Sequence, residues 1–140
     1  MKHVLHNPVF NALSSGDKQL SLGTDAVKFF DETVSPFAGF EESYTKGFAD
    51  LHELLPPGRK ILYAIPTPIT LPTGWQVQHE IKGLQFVYEG DLTIKNEFDN
   101  VVPLTEMHIE EMVALATLTK PGPFATGTIK FGFYHGIFDK

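Results

Sequence analysis

Apolar and polar positions follow helical and strand periods in the first half of the chain. Between residues 41 and 55 the large apolar side chains are spaced four, three and four positions apart, which is the stripe of an amphipathic helix. Asn7 followed by Pro8 is typical of a helix start. Short apolar runs rich in strand-forming residues indicate strands. The predicted elements are a helix at 7–13, a strand at 26–30, a helix at 41–55 and a strand at 60–65.

Two strand-like segments follow a proline-rich loop. Residues 75–81 and 84–89 flank Lys82-Gly83, which is a hairpin signal. In the second segment apolar and polar side chains alternate, so one face is apolar. The sequence therefore predicts an antiparallel hairpin at this point.

A second unit is predicted after a polar stretch at residues 89–100. We place the internal boundary there, with a first unit at 1–99 and a second at 100–140. The second unit is predicted to contain a strand at 101–104, a helix at 106–118 capped by Thr105, a break at 119–124 and a strand at 128–138. The terminal strand has an apolar edge, so we expect its partner to be missing or supplied by another chain, as in a homodimer.

Composition limits the class of protein. The chain has 140 residues, of which 42% are hydrophobic, and this is typical of a soluble globular domain rather than a disordered segment. Zero cysteines exclude disulfides, thiolate metal sites and a cysteine nucleophile, and favour the reducing cytoplasm. The longest apolar runs have five residues, so no membrane span is expected. With 11 basic and 17 acidic residues, a nucleic-acid partner is not expected either.

Common catalytic and metal motifs are incomplete. His3 and His6 could share one side of a helical turn, but no third metal ligand lies near them in the sequence. The two His-Glu pairs lack the second histidine of a zinc-protease motif, and no serine lies in Gly-x-Ser-x-Gly. Gly122 and Gly127 have the separation of a phosphate loop, but Thr128 follows where that loop requires lysine. No metal ligand and no catalytic residue is assigned.

In the second unit, residues 102–115, 118–124 and 136–138 resemble the opening of an N-acetyltransferase domain of the GNAT superfamily. The closest likeness is to the bacterial branch related to glycine N-acyltransferases, in which a strand ending in Pro-Leu-Thr leads to a helix, a Pro-Gly-Pro-Phe loop and a Gly-Ile-Phe hairpin. The segments that carry this resemblance are residues 102–115, 118–124 and 136–138. Three upstream segments, at 5–8, 34–39 and 83–88, look like the amino-terminal half of such proteins.

The resemblance implies a fold and an activity. The fold would be α/β or α+β, with a mixed, mainly antiparallel sheet that is flanked by helices and incomplete at its carboxy-terminal end. The activity would be transfer of an acetyl group from acetyl-CoA to a primary amine, on a small molecule or a peptide. In the family a loop of the form Gln/Arg-x-x-Gly-x-Gly/Ala, which leads from a strand into a helix start, binds the pyrophosphate of acetyl-CoA. None of the twelve glycines here lies in Gly-x-Gly, so we expect no cofactor binding and no catalysis from this chain alone.

One loop is a candidate substrate-binding site. In the superfamily the loop after the first helix commonly lines the acceptor side of the cleft, and here it consists of Lys120, Pro121, Gly122, Pro123 and Phe124. Two prolines would hold Phe124 in a fixed position. The alternative is a rigid helix terminator with Phe124 in the core. Likewise, Arg59 could meet an anionic ligand or be an exposed residue after a helix stop.

A function of a different class stays open. The same fold could serve as a non-catalytic module that binds a ligand or dimerises through the terminal strand. Continuation of the reading frame into a strand, Gly-x-Gly and a helix would favour the enzyme.

Overall fold

The structure, a computed structural model, describes residues 3–91 and 100–139. In chain order its helices and strands are α1 (Pro8–Ser14), β1 (Leu22–Gly23), β2 (Val27–Phe29), β3 (Ala38–Phe40), α2 (Gly47–Leu54), β4 (Val102–Pro103), α3 (Ile109–Thr119) and β5 (His135–Gly136). Short 3-10 helices occur at Val4–His6, Lys18–Leu20, Glu106–His108 and Thr128–Phe131. The predicted mixed class with mainly antiparallel sheets is confirmed. The predicted boundary at residues 89–100 lies largely outside the described residues.

Two small antiparallel sheets form the strand layer. β2 lies between β1 and β3, with Val27 opposite Phe40 and Phe29 opposite Ala38. β4 pairs with β5, which places Val102 opposite Gly136. The predicted strand at 60–65 is reduced to one parallel bridge, in which the Leu62 carbonyl accepts the Ala38 N–H at 3.1 Å.

The main core lies between the three-stranded sheet and α2. Side chains from β2, β3 and α2 are buried there. The aromatic side chains that pack around them are Tyr44, Phe48, Tyr63 and Trp75. The fully or nearly fully buried members are Val27, Phe29, Ala38, Phe40, Leu51 and Leu55. A second cluster of Leu13, Phe30 and Val34 packs α1 against the end of β2.

Helix α2 begins six residues later than the predicted start at residue 41. The Ser43 hydroxyl donates to the Glu41 carboxylate, and the Tyr44 N–H bonds to the Glu41 carbonyl, so the chain turns before the helix. At Gly47 a Cβ atom would lie 2.2–2.5 Å from three carbons of the Phe40 ring. Helix α2 therefore starts at a glycine, because the Phe40 ring occupies the space that a side chain at position 47 would need.

The hairpin predicted at 75–89 is wrong. No strand pairing forms at residues 75–91. Trp75 packs against the main core, but the large apolar side chains that follow it are exposed, with Ile81, Leu84 and Phe86 at 88%, 87% and 89%. Among the described residues, no apolar surface covers the alternating face that indicated a strand.

The strand predicted at 128–138 is wrong over most of its length. Residues 128–131 form a 3-10 helix, and Gly132 and Phe133 both have positive φ, which interrupts an extended chain. Strand geometry returns at β5. By contrast, α1, β2, β4 and α3 lie where the sequence predicts them, and the predicted N-cap Thr105 forms a capping box with His108.

The carboxy-terminal segment is docked onto the part of the chain that contains α1, β1, β2, β3 and α2, which we call the amino-terminal body. The Thr128 hydroxyl donates to the Val34 carbonyl at 2.8 Å and accepts the Ala125 N–H at 2.9 Å. The Gly127 N–H bonds to the Thr33 carbonyl at 2.8 Å, an approach so close that a Cβ would lie 2.9 Å from that oxygen. The bonds to the Val34 and Thr33 carbonyls join residues more than ninety positions apart in the sequence.

Aromatic packing completes the docking. The Phe131 ring meets the ring of buried Phe30 edge to face, with centroids 5.2 Å apart. Within the described part of the chain, no helix is long and apolar enough to cross a membrane.

Truncation of the α2 core position should destabilise the fold. Leu51 is fully buried, so Leu51→Ala should lower the free energy of unfolding by about 2–5 kcal/mol through lost burial and an unfilled cavity. Leu54→Ala, at a 41% exposed position of the same helix, should change it by about 0.5 kcal/mol. Urea unfolding followed by circular dichroism measures both variants. Equal losses would contradict the assigned core.

The buried Thr128 hydroxyl should stabilise the docked segment. Thr128→Val keeps the side-chain shape but leaves the Val34 carbonyl and the Ala125 N–H without this partner, so the free energy of unfolding should fall by about 1–3 kcal/mol. Thr126→Val, at an exposed position, is the matched control. If both variants unfold at the same urea concentration as the parent, the docking bond contributes nothing.

Candidate functional site

The candidate loop begins with a left-handed helix cap. Lys120 has φ 50° and ψ 51°, and its N–H bonds to the Ala116 carbonyl at 2.8 Å. Pro121 disfavours right-handed helical geometry at the preceding residue, so the helix cannot continue past this point. The sequence signal for a rigid helix terminator is therefore confirmed in the local geometry.

The loop presents an exposed strip of side chains. The first four residues, Lys120 to Pro123, are exposed, whereas Phe124 is partly buried. The Phe124 ring meets the Tyr134 ring nearly edge to face, with centroids 6.0 Å apart and an interplanar angle of 83°. Burial raises the pKa of Tyr134 above its ordinary value.

A charged cluster lies beside the docked segment. The Asp31 carboxylate accepts the Thr33 hydroxyl at 2.5 Å and the Thr33 N–H at 2.8 Å. These bonds lower the pKa of Asp31, and the charges of Lys130 and Arg59 lower it further by smaller amounts. The Asp31 carboxylate in the turn of the amino-terminal body is therefore attracted to the positive charge of Lys130 in the docked segment.

Arg59 is not the exposed residue that its sequence context favoured. It is partly buried, and one Nη donates to the Phe30 carbonyl at 2.9 Å. Its Nε is buried without a hydrogen-bond partner among the described residues. Because this guanidinium bonds to the backbone of the residue that follows β2, Arg59 joins the segment after α2 to the end of that strand.

The histidines of the described residues belong to no group of side chains that could hold a metal ion. His3 Nδ1 accepts the Leu5 N–H at 3.2 Å, which caps the first 3-10 helix. Over residues 3–91 and 100–139, no group of three or more His, Cys, Asp or Glu side chains could hold a metal ion.

A cleft on the body was not indicated by any sequence motif. It has a volume of about 240 Å³ and is lined by three chain segments, at 6–7, 40–48 and 63–70. Aromatic rings, the Glu42 carboxylate and the Asn7 amide contribute to its wall. No residue of the 120–124 loop lines this cleft.

The described helix starts do not fit the pyrophosphate of CoA. The turn that precedes α3 is capped by its own Thr105 and His108, and three acidic residues lie at its start and in the first turn of α3. Negative charge at this end of a helix repels a further anion. Helix α1 spans seven residues with proline at its start, and α2 has Asp50 in its first turn.

Comparison with known proteins gives one informative likeness. No family model matches the chain, and no curated protein matches it. The chain is similar to a solved structure from Novosphingobium aromaticivorans, a protein assigned as an acetyltransferase of the GNAT family, with a TM-score of 0.79 and 26% identity. The match covers 99% of this chain and 60% of that protein, so this chain spans about three fifths of its length. The chain has a GNAT-like fold, and the similarity supports its placement in the GNAT superfamily.

Proposed function

We propose that this chain forms the amino-terminal part of an N-acetyltransferase that transfers an acetyl group from acetyl-CoA to a primary amine. The observation that carries the proposal is the match of 99% of the chain to 60% of a protein assigned as a GNAT acetyltransferase. The branch related to glycine N-acyltransferases is the group whose motifs the sequence resembles. Residues 1–99 would form the amino-terminal half and 100–140 the start of the acetyltransferase domain.

The 120–124 loop would contact the acceptor. Its first four residues are exposed, its backbone is fixed by the cap at Lys120, and Phe124 is held by Tyr134. A rigid exposed loop orients a small substrate at low entropic cost. Acyl transfer also requires a base near the amine and donors near the developing oxyanion, and we assign neither role to a residue of this chain.

On its own the chain would be inactive. The sequence has no Gly-x-Gly. Among the described α-helices, α3 has two acidic residues in its first turn, α2 has Asp50 in its first turn, and α1 begins with a proline, which has no N–H to donate. Acetyl-CoA would accordingly not be held by these 140 residues alone.

A non-catalytic dimerisation module is the second candidate. The observation in its favour is the set of large apolar side chains exposed near the terminal strand, with Phe133 at 97%, Ile137 at 65% and Phe138 at 48%. Exposed apolar groups of this size are typical of interaction surfaces. If this candidate is correct, the product of the entire open reading frame should not bind acetyl-CoA.

The 140-residue chain should not respond to acetyl-CoA. A ligand present at 100 times its dissociation constant stabilises the folded state by about 2.7 kcal/mol, which raises the melting temperature by several degrees. We expect no such shift from 1 mM acetyl-CoA or CoA with this chain, measured by differential scanning fluorimetry.

The product of the entire open reading frame that encodes these residues is the comparison sample. With acetyl-CoA and a panel of primary amines it should release free CoA, measured by thiol titration. A melting shift with the 140-residue chain would contradict its inactivity. Failure of the reading-frame product to bind acetyl-CoA would favour the dimerisation module.

Phe124 should affect use of the amine more than turnover. In the active reading-frame product, Phe124→Ala removes the rigid aromatic contact, and we expect KM for the amine to rise about tenfold, equivalent to about 1.4 kcal/mol. Phe133→Ala, at a 97% exposed position of the same segment, should leave KM unchanged. Steady-state kinetics with saturating acetyl-CoA measures both. An unchanged KM in a folded Phe124→Ala variant would remove the loop from the acceptor site.

A further inference from the structure

Tyr134 follows a turn with an uncommon backbone conformation. Gly132 and Phe133 have φ angles of 79° and 59°, which lie in the left-handed region. Glycine adopts this region freely, whereas a bulky residue such as phenylalanine rarely does. The Phe133 side chain is 97% exposed, so burial of its own ring does not hold Phe133 in this conformation. Contacts on either side of the turn hold it instead.

Hydrogen bonds fix both ends of this turn. Before it, the Gly132 N–H bonds to the Ile129 carbonyl at 2.9 Å and closes the 3-10 helix at 128–131. After it, the Leu104 N–H donates to the Tyr134 carbonyl at 2.8 Å, beside the pairing of β4 with β5. Strained residues that the surrounding structure holds in place are frequent at functional sites. We therefore ask what the residue after the turn contacts.

The Tyr134 ring contacts Phe124 of the candidate loop. The centroids of the two rings are 6.0 Å apart and their planes are inclined by 83°. Both side chains are partly buried, and burial raises the pKa of Tyr134. Edge-to-face ring pairs are favourable beyond the apolar area that they bury. The Tyr134 ring therefore restricts the orientations that the Phe124 ring can adopt.

The backbone next to Phe124 has an anchor of a different kind. The N–H of Ala125 bonds to the Thr128 hydroxyl at 2.9 Å, and that hydroxyl donates to the Val34 carbonyl. Loss of the Tyr134 ring would leave this anchor in place and remove only the contact with the Phe124 side chain. The orientation of the Phe124 ring can thus be tested separately from the docking of the segment.

We propose that Tyr134 is a positioning residue for the acceptor amine. Its ring holds Phe124 in one rotamer, and Phe124 contacts the amine, whereas Tyr134 itself does not touch the substrate. This inference rests on the proposed acceptor role of the 120–124 loop and adds a residue that lies outside the loop. The left-handed turn at Gly132 and Phe133 contributes by placing the Tyr134 ring against the loop.

The rotamer of Phe124 tests the first step without any activity. Three-bond couplings from the backbone ¹⁵N and ¹³C′ nuclei to Cγ report the χ1 populations of Phe124 in the 140-residue chain. One χ1 rotamer should dominate in the parent and in Tyr134→Phe, which keeps the ring, and the couplings should become rotamer-averaged in Tyr134→Ala. Phe133→Gly is the matched control, because it removes the neighbouring exposed ring and suits the left-handed backbone.

Steady-state kinetics of the reading-frame product tests the second step. Tyr134→Ala should raise KM for the amine about tenfold with kcat nearly unchanged, and Tyr134→Phe and Phe133→Gly should keep the parent KM. The double variant Phe124→Ala/Tyr134→Ala should also show a rise of about tenfold rather than about a hundredfold, because both substitutions act through the same ring. A general loss of folded enzyme would instead lower the apparent kcat and leave KM unchanged.

The proposal is overturned by a single Phe124 rotamer in Tyr134→Ala, by equal KM increases in Tyr134→Phe and Tyr134→Ala, or by KM increases that multiply in the double variant. If Phe124→Ala raises KM and Tyr134→Ala does not, this proposal fails and the acceptor role of the loop stands. If the reading-frame product transfers no acetyl group, the proposed function fails and the acceptor role of Tyr134 fails with it. The two failures are therefore distinguishable.

Discussion

Contact between the Phe40 ring and the backbone of Gly47 is the constraint on which the amino-terminal body depends. Any Cβ at position 47 would lie within 2.5 Å of ring carbons, so α2 can approach the sheet only at a glycine. The same ring stacks on Tyr63 and meets Phe48 edge to face, while the Phe40 carbonyl accepts the Asn7 amide. One residue thus fixes the sheet, α2, the segment after it and the start of α1 relative to one another.

Elements with a local cause could be predicted from the sequence, and elements with a distant cause could not. α1 follows from proline at its start. α3 follows from its apolar spacing, and the 3-10 helix that leads into it follows from the cap at Thr105. The start of α2 depends on Phe40, which approaches from another element, and an amphipathic stripe carries no information about that approach. The alternation at 84–89 indicates a strand, but a strand also needs a partner, and none pairs with it among the described residues.

The site was predictable to a similar extent. The 120–124 loop follows from two prolines and a family resemblance, and its exposure agrees with that interpretation without testing its role. The partly buried position of Arg59 could not be foreseen, because its partner is the Phe30 carbonyl, and a backbone acceptor leaves no sequence signal. The cleft was missed for a related reason. Its lining residues come from three segments that become neighbours only through tertiary packing.

The docking of residues 127–131 has a consequence for the loop that precedes them. Helix α3 has no buried residue, and β4 and β5 have two residues each, so this segment has little core of its own. The segment is held in place by the hydrogen bond from the Thr128 hydroxyl to the Val34 carbonyl and by the contact between the Phe131 and Phe30 rings. The free energy of local opening at the loop is accordingly set by contacts with the other half of the chain. Evolution can adjust how firmly the loop is held by changing residues near position 30, some ninety positions away, without altering any side chain of the loop itself.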